Sequence, residues 1–445
     1  LPVATTVGNH DADNANYTYH FNTPNSSDLG SNGVVGGDYY FTYGNTLFMM
    51  LNTQDTNAAE HKQFMEQAIA ANPNCTWRVV TLHQDIYGSA EHSNEPEITN
   101  LRYTLVPYFE ANDVDVVLTG HDHAYSRTHI LEGGHKTVEY TDDEFDAKLD
   151  KDMDAGENPA TRYEAPANIS ADSKEPADVA YLNYLNAVMD KDAIEDTEKG
   201  ETVVNPDGIL YMTANSSSGS KYYDLVPRMQ SYIANRWQED VPTYSVIDVT
   251  DNTFTINTYR TDNDQKIDET FTIKKGVTED IKSASVGNVK NQIYTGKQIQ
   301  PAIKVTLNGK TLKAGKDYTV TYTDNKNTGL AKATINGIGK YTGTQTVTFK
   351  IVPKKAVLKT VKAGKSGTAT VTIGKAGGKV SGYAIQVSTD SSFKKVTTYR
   401  TAKTTYTLKN LSKGKTYYVR VKAFTKVSDK NVYGAASKTI KVKAK

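Results

Sequence analysis

The sequence predicts a multidomain protein, an α/β sandwich followed by two all-β sandwiches. Three observations predict it: strand and helix patterns alternate over residues 1–130, helical periodicity disappears from about residue 276, and charge divides along the chain. At 445 residues the chain is too long for one core and suggests two to four domains. Its formal net charge is zero, yet residues 354–445 hold 22 Lys and Arg against two acids, Asp390 and Asp429. The residues before them hold 29 basic and 49 acidic side chains. An acidic front of about −20 is therefore joined to a basic tail of about +20, the mark of different modules. No apolar run approaches the roughly 18 residues of a membrane span. Cys75 is the only cysteine, which excludes an intramolecular disulfide. That fits a cytosolic protein, or a bacterial surface protein whose exported domains do without disulfides. The chain opens at Leu1 without Met or a signal-peptide pattern, and reads as a processed chain or a piece of something longer.

In the first domain, residues 39–51 read as two strands around Gly44-Asn45. Asp55 or Thr56 caps a helix over 57–71, with Phe64, Ala68 and Ala71 at helical spacing, and Pro73 stops it. Residues 77–82 form a strand with His83 just past its end. The unit repeats: Ile98, Leu101, Leu105 and Phe109 make a helical stripe, 114–118 a strand, and Gly120-His121-Asp122-His123 follows. Strand C-termini are where open α/β sheets place ligands. Residues 136–206 are rich in Asp, Glu, Asn and Ala and read as a solvated surface insertion with a short helix near 181–189. The sheet pattern resumes at 208–213 and closes with a hairpin, 244–249 and 253–259, around Asp251-Asn252.

Beyond residue 276 the strands are short and regularly spaced, and Asn308-Gly309 suits a type I′ hairpin turn. Residues 276–353 resemble the bacterial immunoglobulin-like repeat through Tyr294-Thr295-Gly296-Lys297, Gly315-Lys316-Asp317-Tyr318 and Gly339-Lys340-Tyr341-Thr342-Gly343. Residues 354–445 look like a fibronectin type III domain, with Tyr417 standing where that family's corner tyrosine bonds back to backbone and Val419 and Val421 sharing its inward face.

Histidine carries the chemistry of the first 275 residues. His121 and His123 lie two apart beyond one strand, His83 ends its neighbour, and Asn9 and His10 follow a strand ending in Gly8. Imidazole and carbonyl donors at strand tips suit Zn, Fe or Mn. Val7-Gly8-Asn9-His10-Asp11, then Val80-Thr81-Leu82-His83, then Gly120-His121-Asp122-His123-Ala124-Tyr125 resemble the last three of five motifs of the purple acid phosphatases, which are calcineurin-like metallophosphoesterases. The resemblance spans residues 1–275, with Tyr43-Gly44-Asn45 and Asn215-Ser216-Ser217-Ser218-Gly219-Ser220-Lys221-Tyr222 included.

The resemblance implies a four-layer sandwich and two metal ions, Fe with Zn, Mn or Fe, that activate a hydroxide for in-line attack on a phosphate ester. Asn9, His83 and His121 would bind the second metal and His123 the first. His10 would contact the substrate phosphate, with Asp11 bracing its ring, and His92 would protonate the leaving alkoxide. His20, His61, His129 and His135 read as surface residues, and Cys75 as an inert thiol. The family's first two motifs supply its carboxylates, including the aspartate that bridges both metals, and they would precede Leu1. The four ligands present are neutral, which disfavours a bound pair. The expectation is that the N-terminal strands of the sandwich are missing, that these residues alone do not catalyse, and that the intact protein has roughly 100 or more further N-terminal residues.

The favoured activity is phosphomonoester hydrolysis. The alternatives are a phosphodiesterase or nucleotidase, or a surface-binding protein whose esterase domain is incomplete and inactive. The expected partners are a phosphorylated small molecule or polymer and, through the basic tail, anionic cell-wall polymer; nucleic acid and membrane spans are not expected. The expected location is secreted or cell-surface, in a Gram-positive-type bacterium.

Overall fold

The computed structural model describes residues 2–134, 138–153, 167–195 and 202–445. His135 and parts of the acidic insertion lie outside them. The chain divides into two compact units, Leu1–Val277 and Thr278–Lys445. Among the described residues no helix is long and apolar enough to cross a membrane.

The first unit opens with a short helix α1 (Asn16–His20) and a hairpin of β1 (Tyr39–Tyr43) and β2 (Thr46–Met50). Two helix–strand units follow: α2 (Ala58–Ala71) with β3 (Trp77–Thr81), then α3 (Pro96–Ala111) with β4 (Val116–Thr119). After β5 (Tyr125–Thr128) the insertion contributes α4 (Asp142–Met153) and α5 (Pro176–Ala187). Strands β6 (Thr202–Val204), β7 (Leu210–Thr213), β8 (Ile233–Trp237), β9 (Thr243–Val249), β10 (Thr253–Arg260) and β11 (Phe271–Lys274) complete the unit. The larger sheet has the order β1-β2-β3-β4-β7-β5-β8, and the smaller β6-β11-β10-β9. From β2 to β7 the pairing is parallel.

Alternation along these strands builds two cores. Leu47, Met49, Val80 and Val117 face α2 and α3 on one side, packing on Phe64, Leu105 and Phe109. Trp77, Val79, Val116 and Leu210 face the other way, onto Phe254, Ile256 and Phe271 of the smaller sheet. Three layers of the expected sandwich are thus present among the described residues: helices, sheet, sheet.

Asp268, after β10, fastens the sheets together. It accepts from Arg127 Nε at 2.5 Å, Tyr125 Oη at 2.7 Å and Asn235 Nδ2 at 2.7 Å. Burial opposes its ionisation, but Arg127, Tyr125 and Asn235 outweigh burial and hold its carboxyl below the usual range. A carboxyl depressed in the folded state stabilises above its unfolded pKa, and that contribution goes as pH falls through the folded value. Asp268→Asn should therefore lower stability at pH 7 by about 2 kcal/mol and flatten the acid limb of a urea-midpoint series between pH 7 and 3. An unchanged acid limb would contradict this assignment.

Two sequence expectations are corrected here. His61 is not at the surface but fully buried. It shares the inward stripe of α2 with Phe64, Met65 and Ala68, and its Nδ1 lies 2.8 Å from the buried Asp38 carboxylate while Nε2 lies 2.8 Å from the Asp55 carbonyl. The acidic insertion is more than a solvated excursion. Phe145 and Leu149, one turn apart on an acidic helix, bury against Tyr181, Tyr184 and Leu185 of α5 and against Val226. Average composition concealed an amphipathic pair of helices. His20 is exposed, as expected, and His129 is partly buried.

The second unit holds two hydrophobic clusters, one within residues 281–351 around Val305, Ala331, Ile335 and Ile351, the other within 356–444 around Val371, Ile385, Val419 and Val421. Asn308 and Gly309 both take positive φ, +49° and +86°, as a type I′ turn requires. Tyr417 Oη accepts the Ser412 backbone N–H at 3.0 Å, the corner bond foreseen from the sequence.

Candidate functional site

The site forms where the parallel strands end. The pairing of β3 with β4 continues past both strands through the bond from Gly120 N to the His83 carbonyl, 3.0 Å, so His83 and His121 emerge side by side. His121 takes a left-handed backbone, φ +66°, which turns its ring back towards its neighbour. The result is a convergence of donors. His83 Nε2 lies 2.9 Å from Asn9 Oδ1 and 3.0 Å from His121 Nδ1.

Asn9 arrives from a turn closed on itself: Asp11 N donates to the Gly8 carbonyl and Gly8 N to the Asp11 carboxylate, both at 3.0 Å. Asp11 thus braces its own turn rather than the His10 ring. Glycine is required at position 8, because a Cβ there would stand 2.7 Å from Cε1 of His83. His10 is exposed beside this trio.

Burial drives His83 down to about 4, with His121, His10 and His123 adding like-charge cost. His121 falls to about 4 as well, again mainly by burial, against the pull of Asp122. Both rings are therefore neutral with lone pairs available, the state a metal ligand needs. His123 stands apart from the trio. Its Nδ1 lies 2.9 Å from the Lys221 carbonyl, which leaves Nε2 for a ligand. Among the described residues no three His, Cys, Asp or Glu side chains converge as a metal site; the third donor here is an amide oxygen.

His92 sits against this group, its ring centroid 4.8 Å from that of His121. The Glu95 carboxylate hydrogen-bonded to its Nδ1 outweighs burial and, with Asp122 and Glu91, pushes it up to about 9. Tyr223 fills the space between the two outer histidines, edge-on to His92 at 4.9 Å and tilted on His123 at 5.1 Å.

A buried polar knot underlies the loop that carries His92. Ser93 Oγ lies 2.7 Å from both Asp85 Oδ2 and Asp122 Oδ2, and accepts from Ala90 N at 2.9 Å. One hydroxyl hydrogen cannot serve both carboxylates, so one carboxyl carries a proton. Asp85 is that one: complete burial, then the neighbouring Asp122, raises it well above the usual range. Cys75, half-buried just ahead of β3 and packed against the core between sheet and helices, has its thiol pushed up by burial, as suits an unreactive group.

Sequence reading missed Glu95, Tyr223, Asp85 and Ser93. Glu95, three residues after His92, offered a local signal; Tyr223 and Asp85 offered none, because only the fold brings them in.

Residues 1–125 match the family described as calcineurin-like phosphoesterase, and residues 358–439 the fibronectin type III domain. Two uncharacterized proteins of Mycobacterium tuberculosis, from strains CDC 1551 / Oshkosh and ATCC 25618 / H37Rv, are each 26% identical over 173 residues, 34% of this chain and 32% of theirs. The chain thus spans about a third of the length of the curated relatives it matches. Among solved structures it is similar to a purple acid phosphatase from yellow lupin (Lupinus luteus) seeds, with 12% identity and a TM-score of 0.32 over 54% of this chain and 32% of that one. It is also similar to an Fn3-like protein from Clostridium thermocellum, with 25% identity and a TM-score of 0.17 over 21% of this chain and 91% of that one.

Proposed function

We propose that this chain, whose first 125 residues carry a calcineurin-like phosphoesterase domain and whose residues 358–439 are a fibronectin type III domain, hydrolyses phosphate esters with the help of bound metal. The observation that carries this is the meeting of Asn9, His83 and His121, three neutral donors facing one point within 3.0 Å of the central nitrogen. The set fits a single ion of the Fe, Zn or Mn kind. For a pair it lacks a negative ligand, since His123 adds only an imidazole nitrogen and the nearby Asp85 and Asp122 are engaged with Ser93. When bound, the metal supplies Lewis-acid polarisation of a phosphoryl oxygen and an acidified water. His10, exposed beside the trio, contacts the substrate phosphate. His92, held protonated by Glu95, delivers a proton to the departing alkoxide. We favour phosphomonoesters as substrates and a location outside the cell, which the fibronectin type III module supports.

The test is direct. The full-length gene product, stripped by chelation, should lose hydrolysis of a phosphomonoester and regain it on addition of Fe, Zn or Mn, with a phosphodiester cleaved more slowly. A faster diester reaction would move the substrate class to diesters or nucleotides. No hydrolysis with any of these metals would leave the domain a binding module.

A further inference from the structure

The fibronectin type III module has one open side. Strand Thr397–Thr401 pairs only with Gly382–Ser388, and strand Thr405–Leu408 only with Ala369–Gly374, so two sheet edges face each other where the chain crosses from one sheet to the other. Between them lies a cleft of about 770 Å³. Tyr399, Tyr406 and Tyr417 line it, with Lys395 and Lys409 among its walls and no carboxylate. Tyr417 is engaged by its corner bond, whereas among the described residues none hydrogen-bonds to the hydroxyls of Tyr399 and Tyr406.

The charge around this cleft is uncompensated. Residues 354–445 carry 22 basic side chains and only Asp390 and Asp429 in opposition. Asp390 is occupied by its own turn, accepting from Ser392 N, Ser392 Oγ and Lys394 N. A concave site walled by cations concentrates the field on whatever enters it.

We infer that this cleft binds an anionic glycan, a sugar polymer carrying phosphodiester or carboxylate groups. The exposed edges of the tyrosine rings meet sugar C–H groups while their hydroxyls, with those of Thr397 and Thr407, hydrogen-bond to sugar hydroxyls. Lys395 and Lys409 meet the anions. The ring arrangement favours sugars over nucleic acid. Tyr399 and Tyr406 lean on each other at 5.6 Å and 39° and are half-buried, leaving edges and hydroxyls rather than the open faces on which bases stack. The inference stands on the second unit alone and does not require the first to be an active enzyme.

Binding of the full chain to a teichoic-acid-type sugar-phosphate polymer, to polygalacturonate, to neutral dextran and to single-stranded DNA tests it. Binding to either anionic glycan, weakened by salt, supports the inference, and the preferred one identifies the anion. The pair Lys395→Gln and Lys409→Gln should weaken that binding at least about tenfold, as should Tyr399→Ala with Tyr406→Ala. The exposed pair Lys441→Gln and Lys443→Gln, outside the cleft, removes the same charge and should change it little. Because the tyrosines also pack on the domain core, the lysine pair decides if the tyrosine variant unfolds. Equal losses from both lysine pairs, no binding to either anionic glycan, or tighter binding to DNA would overturn the inference.

Discussion

Arg102→Met should destabilise the N-terminal unit by about 3–5 kcal/mol. Arg102 is fully buried in α3, and its guanidinium is a hub that ties that helix to three other segments. Nη2 donates to the Ser93 carbonyl at 3.0 Å and to Asn94 Oδ1 at 2.9 Å, Nη1 donates to the Val188 carbonyl at 3.2 Å, and Nε donates to the Ile86 carbonyl. Asp190 stands 3.7 Å away, and the ring of Tyr87 lies 4.4 Å from the guanidinium carbon. Methionine fills much of the volume and removes every donor, leaving buried carbonyls unmet and Asp190 without the guanidinium's charge. Arg102→Lys should recover little, because a single ammonium cannot reproduce the planar fork. Urea denaturation of the two variants gives the measurement; a loss under about 1 kcal/mol would show that the hub is not needed.

His92→Gln should lower turnover of an alkyl phosphate by about 10²–10⁴-fold. Alkoxides leave poorly without a proton, and His92 is the protonated group beside the trio. A nitrophenyl ester, whose leaving group departs unaided, should lose about tenfold or less. Glu95→Gln should show the same substrate-dependent pattern more weakly, since it acts through His92. Equal losses on both esters would make His92 a substrate-positioning residue instead.

The frame of this site was legible before the fold was known. Strands at 77–81 and 116–119 are short apolar runs ended by histidine, and a parallel sheet brings such ends together. The helical stripe through Leu101, Leu105 and Phe109 likewise declares its buried face. Groups whose role arises from distant segments were not legible. Arg102 reads as an ordinary helix cation, and His61 as a solvated one, until Asp190 and Asp38 are placed opposite them. Tyr399 and Tyr406 give no sign of a shared cleft until the two sheet edges meet.

The bare Cα at position 8 bears on attempts to transplant this chemistry. Its missing side chain leaves the space in which the His83 ring stands, so the recognition unit includes an empty volume as well as three donor atoms. A scaffold that copied Asn9, His83 and His121 faithfully but carried alanine before the asparagine would reproduce the ligands and displace one of them. Engineers seeking the trio elsewhere have to graft backbone proximity along with the side chains.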